Sequence, residues 1–437
     1  MRKSLLVLLS TCSATVWSAP YVMSPGAALT TGPISLPYSL ESVAHNPAAG
    51  ELVVRSDETL RTGYWSNLGG GVEYGDVTDF EDDLDELIDI LDDGLTGDSS
   101  ADEVIDRFSG VLADMSQEGY LKFEGTWALP IFPVVYRSEA LKGTISLDIA
   151  QDVQGKASIL YADDLAFNST TQDFSTTASI YLKSGVQTRF AAGYSRPVYT
   201  RAVGQFNGTL IAGTRLNIIN LKLSKQILAL TNLDGESLGD VIKDEYENNQ
   251  EDATNAGLDV GLIWVAEKYR LGLTMTNLNQ PSFDYGKLGV NCESMTNITQ
   301  QANCFVARDH IQVNGSIDGS ETHTMNALTT VDASYILTER WTVSGSMELA
   351  KYDDLVGDEN QWMAVSTTWF PQTMWIPAVR LGYKSNLAGS KLSSVNWGFT
   401  AFKIFNFDLA YGLESIDVDG TSVPRSFGAS IGFQEGF

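Results

Sequence analysis

The sequence predicts an all-β fold, an antiparallel transmembrane β-barrel of about 14 strands with small acidic helical inserts. Three observations carry that prediction. From about residue 120 onward, segments alternate apolar residues with polar or small ones, the pattern of strands with two unlike faces. Most of these segments run nine to twelve residues, enough for a tilted strand to cross a bilayer, whereas strands of soluble domains average about five to six. The last segment keeps the alternation: Phe427, Ala429, Ile431, Phe433 and Phe437 fall on one side, and Gly428, Ser430, Gly432, Gln434 and Gly436 on the other.

At the N-terminus, Arg2 and Lys3 followed by the apolar run from Ser4 to Val16 read as an export signal, too short to span a bilayer as a helix. Cleavage is expected after Ser18, giving a leader at 1–18. Cys12 invites a lipoprotein reading, but Thr11 is a poor residue before a lipidated cysteine, and the leader reading is preferred. Residues 19–50 are rich in Pro, Gly, Ala and Ser without strand alternation and form a non-strand N-terminal segment. Residues 51–437 supply the barrel.

Within it, Ile145, Leu147 and Ile149 alternate with Ser146, Asp148 and Ala150. After a turn expected at Lys183-Ser184-Gly185, Val186, Thr188, Phe190, Ala192 and Tyr194 face away from Gln187, Arg189, Gly193 and Ser195. Leu258, Val260, Leu262 and Trp264 are followed by Leu271, Leu273 and Met275. Phe405, Phe407, Leu409, Tyr411 and Leu413 alternate with Asn406, Asp408, Ala410, Gly412 and Glu414. Aromatics such as Trp264, Tyr269, Trp341, Trp369, Trp375 and Trp397 sit near segment ends, where interfacial girdles belong. Fourteen to sixteen strands fit between 60 and 437, and closure leaves no unpaired edge in lipid.

Three inserts interrupt the alternation. Residues 76–116 carry helical stripes, Phe80, Leu84, Leu87, Leu91 and Leu95 in one and Val104, Ile105, Phe108, Leu112 and Met115 in the other. An acidic insert spans 234–253, and a long polar loop spans 284–322. That loop holds Cys292 and Cys304, which an exported chain would join in a disulfide that stiffens it.

Composition excludes several classes. Lys and Arg number 28 against 55 Asp and Glu, a formal charge of -27, so nucleic acid is not an expected partner. Aromatics at 10% and charged residues at 19% are not the composition of a disordered acidic tail. The acidic run from Asp82 to Asp93 fails the EF-hand pattern: with Asp89 first, Leu91 falls third and Ser100 twelfth. Only His45, His310 and His323 are available as imidazole bases, and no nucleophile motif appears, so neither an enzyme nor a cofactor is expected. Arg189, Asp259, Arg270 and Asp408 lie on the polar faces of their segments. They line a lumen either as a pathway or as lumen-filling ion pairs.

Two stretches carry a family resemblance. Ser42-Val43-Ala44-His45-Asn46-Pro47-Ala48-Ala49 resembles the Asn-Pro-Ala element of fatty-acid-transporter-like (FadL-like) outer-membrane barrels. Ala212-Gly213-Thr214-Arg215-Leu216, the run Gly257-Leu258-Asp259-Val260-Gly261-Leu262-Ile263-Trp264, Tyr269 to Leu273 and Thr276 to Phe283 resemble the conjugal transfer TraF group of exported barrels. The resemblance is most specific over 205–285. It excludes the thioredoxin-like TraF, because the chain has no Cys-x-x-Cys. It implies an outer-membrane channel or transporter for a hydrophobic or small ligand, or an envelope component of a transfer apparatus, with a non-transporting structural or adhesive surface protein as the alternative. By similarity, residues 19–50 would plug the barrel as a hatch, with Asn46 and Pro47 at its end. The insert at 76–116 departs from the transporter pattern. Membrane lipid and the barrel assembly machinery are the partners implied, with Phe437 as the assembly signal.

Overall fold

The computed structural model describes residues 26–37, 39–55, 57–63, 67–77, 86–87, 90, 100–170, 173–201, 207–232, 246, 249–371, 373–418 and 420–433. The leader, most of the first acidic helix, most of the 234–253 insert and Phe437 lie outside the described residues.

Fourteen antiparallel strands close into a barrel. They are β1 (Leu68–Tyr74), β2 (Tyr120–Ala128), β3 (Gly143–Leu160), β4 (Ser179–Arg201), β5 (Gly208–Ala229), β6 (Gln250–Val265), β7 (Tyr269–Thr276) and β8 (Leu328–Thr338). The rest are β9 (Trp341–Glu348), β10 (Trp362–Trp369), β11 (Ala378–Asn386), β12 (Ser393–Ala401), β13 (Phe405–Gly412) and β14 (Ser426–Phe433). Each strand pairs with its chain neighbours, and β14 returns to β1 with Ile431 opposite Leu68. Two short strands, Leu60–Thr62 and Val134–Ser138, pair with each other, and the second lies against the first half of β3. Thus β2 ends at Ala128, and five residues later the chain resumes on the same edge of β3.

Alternation sets the two faces. Leu147, Phe190, Leu216, Leu262, Leu271, Val343, Val365, Leu381 and Val395 are exposed on the outside, while Asp152, Gln187, Arg215, Asp259, Asp332, Arg380 and Asp408 are buried inside. An apolar belt around a polar interior is the inverse of a soluble domain, and it suits a hydrocarbon surround. Leu381, 55% exposed near the middle of β11, tests this. Leu381→Arg is expected to cost about 2–4 kcal/mol in denaturant unfolding from lipid vesicles, and an unchanged midpoint would contradict lipid contact there.

The wall is uneven. Strand β4 has 23 residues and β5 has 22, while β9, β10, β13 and β14 have eight each. At about 3.3 Å per residue the long strands far exceed the hydrocarbon thickness and project past it on one side. The turn expected at Lys183 to Gly185 is absent, because β4 pairs with β5 straight through it. Lys183 turns inward to Glu321 at 2.7 Å instead.

Connections are short on one rim, such as Thr338 to Trp341, and long on the other. On the loop rim Ser100 opens the helix Ala101–Glu118 in a capping box with Glu103. Its stripe Val104, Phe108, Leu112 and Met115 packs on Ile159, Ile180 and Leu228 from the ends of β3, β4 and β5. Within the 284–322 loop lies the helix Ile298–Asp309, and Cys292 is bonded to Cys304 with Cα atoms 5.5 Å apart. Of the 234–253 insert, residues 250–253 belong to β6.

Candidate functional site

The interior is occupied by the N-terminal segment. Residues 26–55 form three short helical turns, Ala28–Thr31, Glu41–His45 and Gly50–Val53, threaded inside the barrel. Fifteen of its residues are buried apolar or small polar groups from Ala27 to Val54, including Leu40, Val43, Ala48 and Val53. A segment this short cannot build its own core, so the barrel wall supplies one. Leu40, Val43, Val53 and Val54 pack on Val135, and Ala48 and Ala49 on Ile211 and Ile263.

The quoted motifs meet at one place. Asn46 ends the Glu41–His45 helix, and its Oδ1 accepts the Ala48 N–H at 2.9 Å, capping the Pro47–Ala49 turn. Its Nδ2 reaches the carbonyls of Leu262 and Leu273 at 3.4 Å. Opposite lie Gly213 and Gly261. A Cβ on Gly213 would stand 2.4 Å from the Pro47 oxygen, and one on Gly261 would stand 2.0 Å from Asn46 Oδ1. Both glycines therefore leave room for the plug backbone.

Beside them Arg215 donates Nε and Nη2 to Asp259 Oδ2 at 2.9 and 2.8 Å, and Nη1 to the carbonyls of Val43 and Ala44 at 2.9 and 2.7 Å. Asp259 also accepts from Asn217 Nδ2 at 2.7 Å and Asn277 N at 2.8 Å. A buried ion pair needs this degree of hydrogen bonding to offset its desolvation.

A second clamp holds the plug's start. The Arg380 guanidinium donates to both oxygens of Asp408 at 3.1 and 2.7 Å, and Thr30 donates to the same carboxylate at 2.5 Å. Asn396 donates to the Leu29 carbonyl at 3.1 Å. Ser35 donates its N–H and hydroxyl to Asp332 at 2.9 and 3.1 Å.

Arg189 and Asp259 therefore line one cavity with Asn46, whereas Asp408 lies in the other clamp. Arg189 stands 3.5 Å from Asp148. Arg270 sits half-buried on the inward face of β7 and lines neither of the two large cavities. Sequence reasoning passed over Arg215, Arg380 and Lys384 as site residues, although the alternation that sends Val379 and Leu381 outward already placed Arg380 inside.

On the loop side of the plug two adjoining cavities share Tyr352, Trp362 and Lys384. They are roofed by the 349–361 loop, which folds inward. Its Asp354 accepts Lys122 Nζ at 2.6 Å and Gln154 Nε2 at 3.0 Å, Asp358 accepts Lys156 at 2.5 Å, and Leu355 joins Leu221, Leu223, Phe283, Tyr285 and Met325.

Two plug groups are held away from their ordinary protonation. Burial, reinforced by Asp408, pushes the Glu41 carboxyl from 4.5 up to about 7, against the lowering effect of Arg380 and the N–H groups of Ala27 and Ala28. Burial, helped by Arg215 and Lys384, takes the His45 imidazole from 6.5 down to about 4. A raised carboxyl makes docking gain stability as pH falls from 7 to 4.5, and a lowered imidazole makes docking lose it from 6.5 to 4. Glu41→Gln leaves the His45 effect alone. Protease protection of the plug in this variant is expected to exceed wild type at pH 8 and to fall more steeply on acidification from 6.5 to 4.5.

Comparison with known proteins adds to this geometry. Residues 43–348 match the family described as "F plasmid transfer operon, TraF, protein". No curated protein matches the chain. Among solved structures, a deltaS2 mutant of the monoaromatic hydrocarbon channel TodX shares the fold at TM-score 0.50 and 11% identity, covering 94% of this chain and 98% of that one. The Ralstonia pickettii toluene transporter TbuX gives 0.43 at 11% identity, covering 95% and 98%. A Pseudomonas aeruginosa FadL homologue gives 0.43 at 12%, covering 96% and 100%.

Proposed function

From a chain that belongs to the TraF family of the F plasmid transfer operon, we propose an outer-membrane β-barrel channel of FadL-like build, plugged by its N-terminal segment, that passes a hydrophobic or small ligand. One observation carries the reading: residues 26–55 fill the barrel interior and are tied to its wall, with open chambers left beside them. A purely structural barrel has no use for a plug held by two buried clamps. The outer-membrane location is supported by the exposed apolar belt. The fold shared with a monoaromatic hydrocarbon channel supports passage of small molecules.

The reading is non-enzymatic. A role as envelope component of a transfer apparatus is the second half of the proposal, supported by the family description.

The test is a deletion strain complemented with the gene. Uptake of small solutes and mating frequency are measured together, with swelling of liposomes holding the purified barrel. Solute-dependent swelling and reduced uptake in the deletion are expected. Swelling equal to that of protein-free liposomes, with uptake unchanged, would remove the channel reading, and a fall in mating alone would favour the apparatus.

A further inference from the structure

Two opposite charges face the same chamber without a direct partner. Lys384, half-buried on the inward face of β11, holds its ammonium 4.3 Å from the centre of the Trp362 ring. Among the described residues no carboxylate stands within 4 Å of it, and the carboxylates that act on it electrostatically are Glu124 and Glu348. Glu348 is already engaged, accepting the Trp362 N–H at 2.6 Å. Glu124, half-buried on the inward face of β2, accepts no hydrogen bond and forms no ion pair among the described residues.

The other charges lining this chamber are satisfied. Lys122 binds Asp354 and Asp358 at 2.6 and 3.1 Å, and Glu73 accepts the Tyr120 hydroxyl at 2.5 Å. Among the described lining residues, one cation and one anion therefore remain, more than 4 Å apart across the cavity.

Charges kept apart inside a protein are costly unless something pairs with them. The face of Trp362 accounts for part of the cost on the Lys384 side, since a cation over an indole gains about 0.5–2 kcal/mol. Nothing comparable meets Glu124. A hydrocarbon entering the chamber would strip water from both groups and return no hydrogen bond. A solute with its own carboxylate and ammonium would answer both.

We propose that the chamber walled by Lys384, Glu124 and Trp362 is a binding site for small zwitterionic solutes, the carboxylate set against Lys384 and the ammonium against Glu124. This deepens the channel reading and rests on it for its physiological use, while the binding itself does not depend on passage. Lys384 also lines the second cavity with His45 and Asn46, so the bound solute would sit directly on the plug.

The test is calorimetric titration of the full detergent-solubilised barrel with glycine, 4-aminobutanoate and 6-aminohexanoate, whose charge separations differ. Butanoate, butylammonium and toluene serve as probes lacking one or both charges. At least one zwitterion is expected to bind ten-fold or more tightly than all three of these. Lys384→Met and Glu124→Gln are each expected to weaken it ten-fold or more, and Lys384→Arg and Glu124→Asp to restore most of the loss. A heat-dependent electrophoretic shift certifies that each variant is folded. Absence of zwitterion binding, binding no tighter than that of toluene, or binding untouched in both folded charge-removing variants would overturn the site. Liposome swelling run in parallel separates the two ideas: binding without swelling retains the site and removes the channel, and swelling without binding does the reverse.

Discussion

Replacement of Asp259 by alanine is expected to free the plug from the wall while leaving the barrel closed. The carboxylate satisfies four donors, two from Arg215 and one each from Asn217 and Asn277. Without it the Arg215 guanidinium, 3% exposed, remains buried beside the Val43 and Ala44 carbonyls without its hydrogen-bonded carboxylate. Breaking such a pair on one side costs about 3–5 kcal/mol, equivalent to a hundred-fold or greater rise in the undocked fraction. The ring of strand pairs does not depend on this residue, so the heat-dependent electrophoretic shift should persist.

The readout is proteolysis within 26–55 together with single-channel conductance, both of which should rise. A joint Arg215→Met, Asp259→Leu change removes both charges and should cost less than Asp259→Ala, because no uncompensated ion is left. If the joint variant is as loose as the single one, the plug is held by hydrogen bonds to the Val43 and Ala44 carbonyls rather than by charge balance.

Asp354→Ala is expected to open the chamber from the other side. The 349–361 loop is fastened inward at this carboxylate by Lys122 and Gln154, and the carboxylate also organises the loop through Asn360 Nδ2 and the N–H groups of Val356 and Asp358. Losing it strands Lys122, 7% exposed at its side chain, with only the longer contact to Asp358. What remains is the Asp358 pair with Lys156, the Leu355 backbone bonds to Gln154 and Tyr285, and Leu355 packing in the Leu221 and Phe283 cluster. Liposome swelling with uncharged sugars should accelerate several-fold. Asp358→Asn, which weakens a more exposed link to Lys156, should have a smaller effect, since partly solvated pairs contribute about 0–1 kcal/mol. Equal swelling in wild type and Asp354→Ala would mean that the loop does not limit the opening.

Both predictions concern contacts that the sequence suggested unequally. Asp259 stood on the polar face of an alternating segment and inside a quoted motif, yet its partner was not named. Arg215 lies 44 residues away and the carbonyls it holds a further 171 to 172 residues off. Asp408 was likewise read as a lumen residue, but its fastening of Thr30, 378 positions earlier, was not. The inward fold of the 349–361 loop left no periodic trace, because its two paired strands are only two residues long each.

What the sequence determined by itself was whatever a local period can encode. A two-residue alternation states which side chains face lipid and which face the lumen, and with segment length it fixed the all-β barrel of about 14 strands. A helical stripe likewise gave Val104, Phe108, Leu112 and Met115 as one buried face. Only the tertiary structure decided what stands opposite each inward residue. The lumen is where strands distant in sequence and the threaded 26–55 segment converge, so the partner of each buried charge depends on register, barrel closure and the path of the plug. That is why Arg215 and Asp259 became a clamp, while Lys384 and Glu124, on equally ordinary polar faces, were left to meet a ligand.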